Sequence, residues 1–422
     1  MTSRPLPLLL AGFLISTLYY VITAILPIYL VESSAHGGLE WSRSAAFSLF
    51  GTYVAVASIS PFAGGACADF FCGRKIIASC GYMLVFFGIL FLPVCTDALS
   101  ILIVILFIAL GTGFAKVCLM SSVGTITATM DHNSRQKIYE HYYVGMAMGF
   151  VVGNFLANPL FDLFGIKGIV GASIAGLAVS CLLGFRYFTP FIKKEPTTKE
   201  SPPSTNTLLL VFGGLILLAV PFSLVSHQCH TSISLFVHQA VDRSLAGFTI
   251  PTLWFASFGS LAMVFFVPIH RRFWKKVERF IEMPEFVKMG VGFLLSCSGF
   301  ACIALLAASQ SSLHALSILT LLFANALFFI ADIHVRPVLF SSATTYVPSK
   351  YHTLSTAVVY TANGLGGKLA GAFAGNVDTI GFTNTFLLCS IICLGCATLS
   401  TLLWRQSSRA QTTSTQQGEK TL

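Results

Sequence analysis

Four charged side chains fall inside long, otherwise apolar stretches of the chain: Lys116, Asp332, Arg336 and Lys368. A charge at the centre of a bilayer costs at least about 2.5 kcal/mol, so each of them needs a partner or a function. Lys116, isolated on an apolar helix, is suited to holding a substrate carboxylate, and the alternative is an ion pair with another helix. Asp332 precedes Arg336 by one helical turn and can pair with it or with Lys368.

Three further polar side chains crowd one turn of another apolar stretch: His227, Gln228 and His230. A histidine titrates near pH 6.5 when unperturbed, which makes it a suitable proton carrier. A neutral histidine bonded within a helix interface is the alternative. We favour this alternative for His230 and also for His334, whereas both interpretations remain open for His227.

The composition decides what kind of protein must position these side chains. The 422 residues are 55% hydrophobic and 10% charged, with a mean hydropathy of +0.80. A soluble domain carries about 25% charged residues, so these charges cannot coat a water-soluble body of this size. The chain is also too apolar to be disordered. We therefore predict an all-α polytopic membrane protein.

Twelve segments provide the roughly 20 apolar residues that a helix needs to cross the hydrocarbon core. The predicted spans are Leu6–Val31, Ala45–Ala68, Ile76–Val94, Leu99–Met130, Ile138–Phe161, Gly168–Phe188, Leu208–Val237, Leu245–Ile269, Phe286–Ala308, Leu313–Phe340, Thr353–Gly375 and Thr383–Trp404. The first is too long for a signal peptide and is predicted to be a retained span. Gly145, Gly149 and Gly153 are spaced for a close helix crossing.

The basic residues orient these spans. Of the 25 Lys and Arg, nineteen fall on the side that holds both termini, three on the opposite side and three within spans. Cytoplasmic loops are enriched in Lys and Arg, so we predict cytoplasmic N- and C-termini. The excess of basic over acidic residues then reflects membrane topology and not nucleic-acid binding.

A polar, Pro/Ser/Thr-rich segment divides the chain. Residues 193–206 follow the sixth span and predict a flexible cytoplasmic linker. The linker separates an N-terminal six-helix bundle at 1–192 from a C-terminal six-helix bundle at 207–405, and residues 406–422 predict a disordered cytoplasmic tail. Two six-helix bundles are the plan of the major facilitator superfamily, whose substrate site lies between the halves near the midplane.

Short motifs narrow this resemblance. The segment Gly64–Lys75 resembles the superfamily's loop signature after span two, in the version typical of the proton-coupled oligopeptide transporter family. Other segments follow that family's order, and they are Gly111–Lys116, Asp131–Gly149 with Asn158 and Pro159, Phe222–Ser232, Ala331–Ile333 with Pro337, and Asn363–Gly367. The chain is identified as a divergent member of this family, and the resemblance implies a monomer with the major facilitator fold.

The first span departs from the family pattern Glu-x-x-Glu-Arg-Phe-x-Tyr-Tyr. Its two tyrosines remain as Tyr19 and Tyr20. The other named positions hold Gly12, Ile15, Ser16 and Thr17. The two carboxylates and the Arg that the family associates with proton coupling and peptide binding are therefore replaced. The family's Asn in span five is Ala147 here, and its Glu in span seven is His227.

The resemblance adds roles to the residues singled out above. It implies that substrate is bound by Lys116, Tyr19, Tyr20, Tyr143, Gln228 and Asn363. It implies that protons are coupled by His227 and Asp332. It implies that gating or ion pairing involves Arg336, Lys368, Asp69 and Arg74. The expected partners are a small-molecule substrate, protons and the lipid bilayer, with no nucleic acid, cofactor, metal site or catalytic residue.

The leading hypothesis is a secondary active transporter in the cell membrane. It would move di- or tripeptides, or similar small amphoteric solutes, by alternating access with proton symport. One alternative is a facilitator or exchanger for another small organic anion, an amino acid or a nucleoside, and another is a non-transporting sensor on the same fold. An enzyme is not expected, because the sequence has no Asp-rich metal motif, nucleotide-binding Gly loop or intramembrane His–Glu cluster.

Overall fold

The computed structural model describes residues 5–34, 38–128, 130–185, 187, 205–245, 248–250, 252–277, 279, 284–309, 314–345, 347 and 351–419. Within these residues the chain is almost entirely helical. The helices are α1 (Leu6–Val31), α2 (Arg43–Cys67), α3 (Arg74–Phe91), α4 (Ala98–Ile126), α5 (His132–Phe185), α6 (Thr205–Ser226), α7 (Ser232–Ala240), α8 (Thr252–Val277), α9 (Glu285–Ser309), α10 (His314–Thr345), α11 (His352–Ala374), α12 (Val377–Ile380) and α13 (Phe382–Glu419). Two short strands, β1 (Ser244–Leu245) and β2 (Phe248–Thr249), pair antiparallel.

Each of the twelve predicted spans overlaps one of these helices. Helix α5 carries both the fifth and the sixth predicted span. Gly165 lies between them, and its non-helical backbone kinks the chain and separates the two helical halves. Its φ of 62° is a conformation that glycine adopts without steric cost. Within the described ranges, eight helices are long and apolar enough to cross a membrane. The all-α membrane fold is therefore confirmed, and the count of twelve spans stays a prediction.

The outer faces of the helices are apolar. Leu182, Leu163 and Leu305 have relative exposures of 76%, 74% and 71%. Large contiguous apolar surfaces of this kind are rare on soluble monomers and mark contact with a membrane or a partner. Together with the length of the helices, this exposure fits a body surrounded by lipid.

The chain divides into two compact units. The first unit holds the described residues of Met1–Lys199 and Ala343–Gly364, and the second holds those of Glu200–Ser342 and Leu365–Leu422. The end of α10 and the beginning of α11 therefore belong to the first unit, whereas the sequence boundaries assign all of 207–405 to one bundle. Side chains of the first unit that bind this segment, described below, are the physical reason.

Two predicted polar segments differ in outcome. The linker at 193–206 lies outside the described residues, apart from 205 and 206, which begin α6. Helix α13 continues to Glu419, past residue 406 where the disordered tail is expected to begin, and the disorder of the tail stays a prediction. Residues 406–417 contain neither Gly nor Pro, and so the sequence has no residue there that would end a helix.

In the first unit α1 packs along α5, and α4 packs against both α2 and α3. Glycine permits the closest of these approaches. A Cβ on Gly149 would lie 2.9 Å from two backbone atoms of α1, the oxygen of Phe13 and the nitrogen of Thr17. The close crossing predicted from the glycine spacing is therefore confirmed, and it fixes the register of α1, which carries Tyr19 and Tyr20.

In the second unit α13 packs against both α9 and α6. The hydroxyl of Ser400 on α13 donates a hydrogen bond to the backbone oxygen of Phe286 on α9. Phe222 on α6 meets Phe293 on α9 edge to face, with ring centroids 5.5 Å apart. These contacts fix the position of α6, whose last residue leads into the turn that contains His227.

Candidate functional site

Lys116 lies on α4 against two aromatic rings of α1. Its Nζ atom is 3.6 Å from the centre of the Tyr19 ring and 5.5 Å from that of Tyr20. The two rings meet edge to face, with centroids 5.1 Å apart. An ammonium over a tyrosine face is attracted by about 0.5–2 kcal/mol. The structure thus brings together three of the residues that were predicted to bind substrate.

Tyr53 of α2 extends this cluster, and it was not predicted to belong to the site. Its ring stacks on that of Tyr19 at a centroid distance of 6.0 Å. The side chain is fully buried, and its hydroxyl has no hydrogen-bond partner among the described residues. Leaving such a hydroxyl unpaired costs about 1–3 kcal/mol, so a ligand atom or a water that paired with it would be stabilising. The pairing of Tyr53 with Tyr19 depends on how α1 and α2 pack, which no sequence motif reveals.

Aromatic rings, and not a carboxylate, surround the Lys116 ammonium. Within the described part of the chain, no acidic side chain lies within salt-bridge distance of it. Helix α1 contains no charged residue, and Lys116 is the only one on α4. A Cβ on Gly12 would lie 2.6 Å from the ring of Tyr142 on α5. The position of the family's first Glu is therefore filled by a neighbouring aromatic ring.

Asp332 and Arg336 form an ion pair on α10. Arg336 Nε is 2.9 Å from Asp332 Oδ1. Arg336 Nη2 also donates to the hydroxyl of Ser226 at 2.9 Å, and that hydroxyl lies 3.4 Å from the same carboxylate oxygen. Of the two partners that the sequence left open for Asp332, the structure has Arg336, and the side chain of Lys368 is exposed on α11. The pair connects α10 to the end of α6.

The predicted seventh span is broken at the residues for which a function was predicted. Helix α6 ends at Ser226, and a 3₁₀ turn, His227–His230, precedes α7. His227 Nδ1 is 2.7 Å from the backbone oxygen of Ser223, so we assign the proton of the neutral ring to Nδ1. The Nε2 edge of the same ring faces Gly367, where a Cβ would lie 3.2 Å away. Broken helices of this kind build the ion and substrate sites of many secondary transporters.

Gln228 is fully buried in the same turn and closes it. Its amide nitrogen donates to the backbone oxygen of Leu224 at 3.3 Å. Its Oε1 accepts hydrogen bonds from the hydroxyls of Ser232 at 2.7 Å and Thr231 at 3.2 Å. Gln228 thus holds the break in place, and its predicted contact with substrate stays a prediction. The side chain of His230 lies outside the described residues.

Asp69 and Arg74 hold the first turn of α11. Helix α2 ends in a π-helical turn, Ala68–Cys72, which carries Asp69. Asp69 Oδ2 accepts the backbone N–H of Leu354 at 2.6 Å, and Arg74 Nε donates to Thr353 Oγ1 at 2.7 Å. A carboxylate at a helix N-terminus pairs with an N–H that has no partner within its helix and interacts favourably with the helix dipole.

Thr344 near the end of α10 is bound in a similar way. Its hydroxyl accepts from Arg135 Nη2 at 2.7 Å and lies 2.6 Å from the hydroxyl of Tyr139. These contacts and those to α11 explain why the end of α10 and the beginning of α11 belong to the first unit.

We expect Asp69→Asn to lower the stability of the protein, because a neutral amide binds the N-terminus of α11 less well than a carboxylate. The loss should be about 0.3–1 kcal/mol, the usual contribution of a charge near a helix terminus. Thermal unfolding of the purified protein in detergent measures it. Asp162→Asn is the matched control, since Asp162 is exposed on α5. An equal effect of the two substitutions would contradict the assignment.

Two predicted binding residues lie on other helices. Tyr143 is partly exposed on α5, and Asn363 is partly exposed on α11. Each already has an interaction partner within the protein. Their roles in substrate binding stay predictions.

A polar cluster in the second unit was not predicted. His270 and Trp274 on α8 converge on His334 of α10, with His270 Nε2 3.2 Å and Trp274 Nε1 2.9 Å from His334 Nε2. His334 Nδ1 is 2.8 Å from the backbone oxygen of Ile330, so we assign its proton to Nδ1, which leaves Nε2 to accept the N–H of Trp274. This arrangement favours the structural interpretation of His334. The spacing of His270 and Trp274 becomes informative only when the packing of α8 on α10 is known.

Comparison with known proteins adds an independent line of support. The chain is 23% identical over 464 residues to the peptide transporter YePEPT of Yersinia enterocolitica subsp. palearctica serotype O:3 (strain YE-P4), covering 91% of this chain and 90% of that protein. A family model described as the POT family matches residues 178–386. Together the two findings support a member of the POT family. This confirms the family predicted from the motifs.

Two further comparisons concern another relative and a solved structure. It is 23% identical over 246 residues to a di-/tripeptide transporter of Lactococcus lactis subsp. lactis (strain IL1403), covering 56% of this chain and 48% of that protein. The crystal structure of a POT family transporter in complex with a thioalcohol-conjugated peptide superposes with a TM-score of 0.73 at 16% identity, covering 95% of this chain and 96% of the other. This likeness confirms the fold, and the protein is a multi-pass membrane protein.

Proposed function

We propose that this protein is a secondary active transporter that moves di- or tripeptides, or similar small amphoteric solutes, by alternating access. The observation that carries the proposal is the Lys116 ammonium, which lies within the membrane-spanning part of the first unit against Tyr19 and Tyr20. The names of two relatives, a peptide transporter and a di-/tripeptide transporter, support this substrate class. A transporter family also favours transport over enzymatic catalysis.

Lys116 has the chemistry that a peptide carboxylate needs. Its side chain is partly exposed, as a group that binds a solute must be. A charge-assisted hydrogen bond between an ammonium and a carboxylate contributes about 1.5–3 kcal/mol. The faces of Tyr19 and Tyr20 hold the ammonium in place and offer apolar surface to the rest of the solute.

Proton symport would use Asp332 and His227. Protonation of Asp332 removes the charge that binds Arg336 at 2.9 Å. Ser226 contacts both members of that pair and directly precedes His227 in the broken turn. A change in the protonation of the carboxylate would therefore reach the turn through one side chain. This chain of contacts supports a coupling role for both titratable residues.

The segment held by Asp69 and Arg74 would act as a gate. Both side chains bind the first turn of α11, and Thr344 is held at the neighbouring end of α10. Breaking a few such polar contacts would free the segment Ala343–Gly364 from the rest of the first unit. Several short hydrogen bonds hold this one segment, and this supports its proposed role as a gate.

We expect the protein to lie in the cell membrane with both termini in the cytoplasm, because Lys and Arg concentrate on one side of the predicted spans. Reporter fusions after Ser33 and after Val241 should report an outside location. Fusions within 193–206 should report an inside location. The opposite reading at any one of these positions would contradict the twelve-span topology.

Ligand binding tests the proposed substrate class. A solute that binds only the folded state stabilises it by about 2.7 kcal/mol at a hundred times its Kd. Purified protein should therefore unfold at a higher temperature with dipeptides than with single amino acids or nucleosides. Stabilisation by nucleosides or amino acids alone would reject a peptide substrate.

A facilitator or exchanger for a small organic anion is the second candidate. The observation in its favour is the first helix, where Gly12 and Ile15 stand in place of the family's two Glu residues. Lys116 would then bind the anion without proton coupling. Uptake that is insensitive to an imposed pH gradient would favour this candidate.

A further inference from the structure

The deep interior of the predicted spans carries more positive than negative charge. More than one helical turn from either end of a span, the basic residues are Lys116, Arg336 and Lys368, and the acidic residue is Asp332. Asp332 and Arg336 neutralise each other at 2.9 Å, and Lys368 is exposed. Lys116 therefore carries a positive charge for which the described residues of its own unit supply no counter-ion.

The aromatic rings offset only part of the cost of placing Lys116 in the membrane. Cation–π contacts contribute about 0.5–2 kcal/mol, whereas an intramembrane charge costs at least about 2.5 kcal/mol. A bound carboxylate would offset the rest of this free-energy cost, because it supplies the missing opposite charge. A zwitterionic solute brings a carboxylate but also an ammonium, and that ammonium needs its own acceptor.

Neither α1 nor α4, the helices that carry Tyr19, Tyr20 and Lys116, offers a carboxylate for such an ammonium. Helix α1 carries no charged residue, and the ring of Tyr142 occupies the space beside Gly12. In the second unit, the carboxylate of Asp332 is bound by Arg336 and Ser226. His227 stands where the resemblance places a Glu, and a histidine is neutral or positive, so it cannot attract an ammonium as a carboxylate does.

From this charge balance we infer that the solute is net anionic: the protein recognises its carboxylate and does not require a free amino group. This inference rests on the proposed function and narrows its substrate class. Peptides with a blocked amino terminus, acidic peptides and similar carboxylates are favoured over ordinary zwitterionic dipeptides. This preference follows because one carboxylate is enough to neutralise the single positive charge of Lys116.

Calorimetric binding of four probes to the purified full-length protein tests this inference. The probes are alanyl-alanine, N-acetyl-alanyl-alanine, alanyl-alanine amide and N-acetylalanine. We expect N-acetyl-alanyl-alanine to bind at least as tightly as alanyl-alanine and more than about tenfold more tightly than the amide, a difference of about 1.4 kcal/mol. Lys116→Met should abolish the preference for the N-acetyl form over the amide, and Lys116→Arg should retain it. Lys167→Met, at an exposed position of α5, is the matched control and should change nothing.

The probes separate this inference from the proposed function. Binding of alanyl-alanine with at least tenfold weaker binding of its N-acetyl form would overturn the inference and leave peptide transport standing. Binding of N-acetylalanine without binding of any dipeptide would support an anionic solute and reject peptides. An amide that binds as tightly as the N-acetyl form, or a failure of all four probes to bind, would also overturn the inference.

Discussion

Replacing Lys116 with alanine should abolish or strongly weaken peptide uptake while leaving the protein folded and inserted. The ammonium contacts the rings of Tyr19 and Tyr20, and its loss removes the charge that would bind a carboxylate. A contact of about 1.5–3 kcal/mol corresponds to a loss of about tenfold to a hundredfold in affinity. Alanine is the best helix former, and so α4 should persist. Uptake of a labelled dipeptide into proteoliposomes, normalised to reconstituted protein, measures the effect.

Lys167→Ala is the control for this prediction, because it removes a lysine from an exposed position of α5. It should leave uptake unchanged. Elution as a single species in detergent shows that each variant is folded. Normal transport by Lys116→Ala would place the carboxylate site elsewhere, and Arg336 and Lys368 would then be the next residues to replace.

Asp332→Asn should abolish accumulation driven by a pH gradient while leaving exchange of substrate across the membrane. Asparagine cannot take up and release the proton, so the ion pair with Arg336 can no longer respond to it. His227→Gln should flatten the pH dependence of uptake, because it removes a group that titrates near pH 6.5 when unperturbed. Uptake measured with and without an imposed gradient, over a range of pH, checks both results.

A second variant distinguishes a loss of proton coupling from misfolding of the protein. Removing one partner of a buried ion pair can cost about 3–5 kcal/mol, because the other charge is left uncompensated. The double substitution Asp332→Asn with Arg336→Gln removes both charges and should retain exchange if the fold survives. Gradient-driven accumulation that persists in Asp332→Asn combined with His227→Gln would show that other residues couple the proton.

The membrane class and the helices followed from simple properties of the sequence. Low charge content and long apolar runs leave few choices in a bilayer, and the structure has a helix at every predicted span. The cluster of Lys116 with Tyr19 and Tyr20 could also be predicted from the sequence, because the motif order placed all three in one expected site. The pairing of Asp332 with Arg336 was also predictable, because residues four positions apart lie on the same face of a helix.

Features that depend on packing between helices could not be predicted. The buried hydroxyl of Tyr53 and the ring of Tyr142 beside Gly12 exist only because particular helices pack together. The break at His227–His230 lies within a single predicted span, and the polar residues there do not by themselves reveal that the helix is interrupted. The segment Ala343–Gly364 belongs to the first unit through polar contacts between residues more than 200 positions apart in sequence.

The claim that this protein carries peptides through a site built on Lys116 is tested most directly by counterflow. Proteoliposomes loaded with unlabelled alanyl-alanine are diluted into labelled alanyl-alanine without any ion gradient. We predict that the native protein takes up the label by exchange and that Lys116→Ala does not. Absence of exchange in the native protein, or equal exchange in both proteins, would contradict the account.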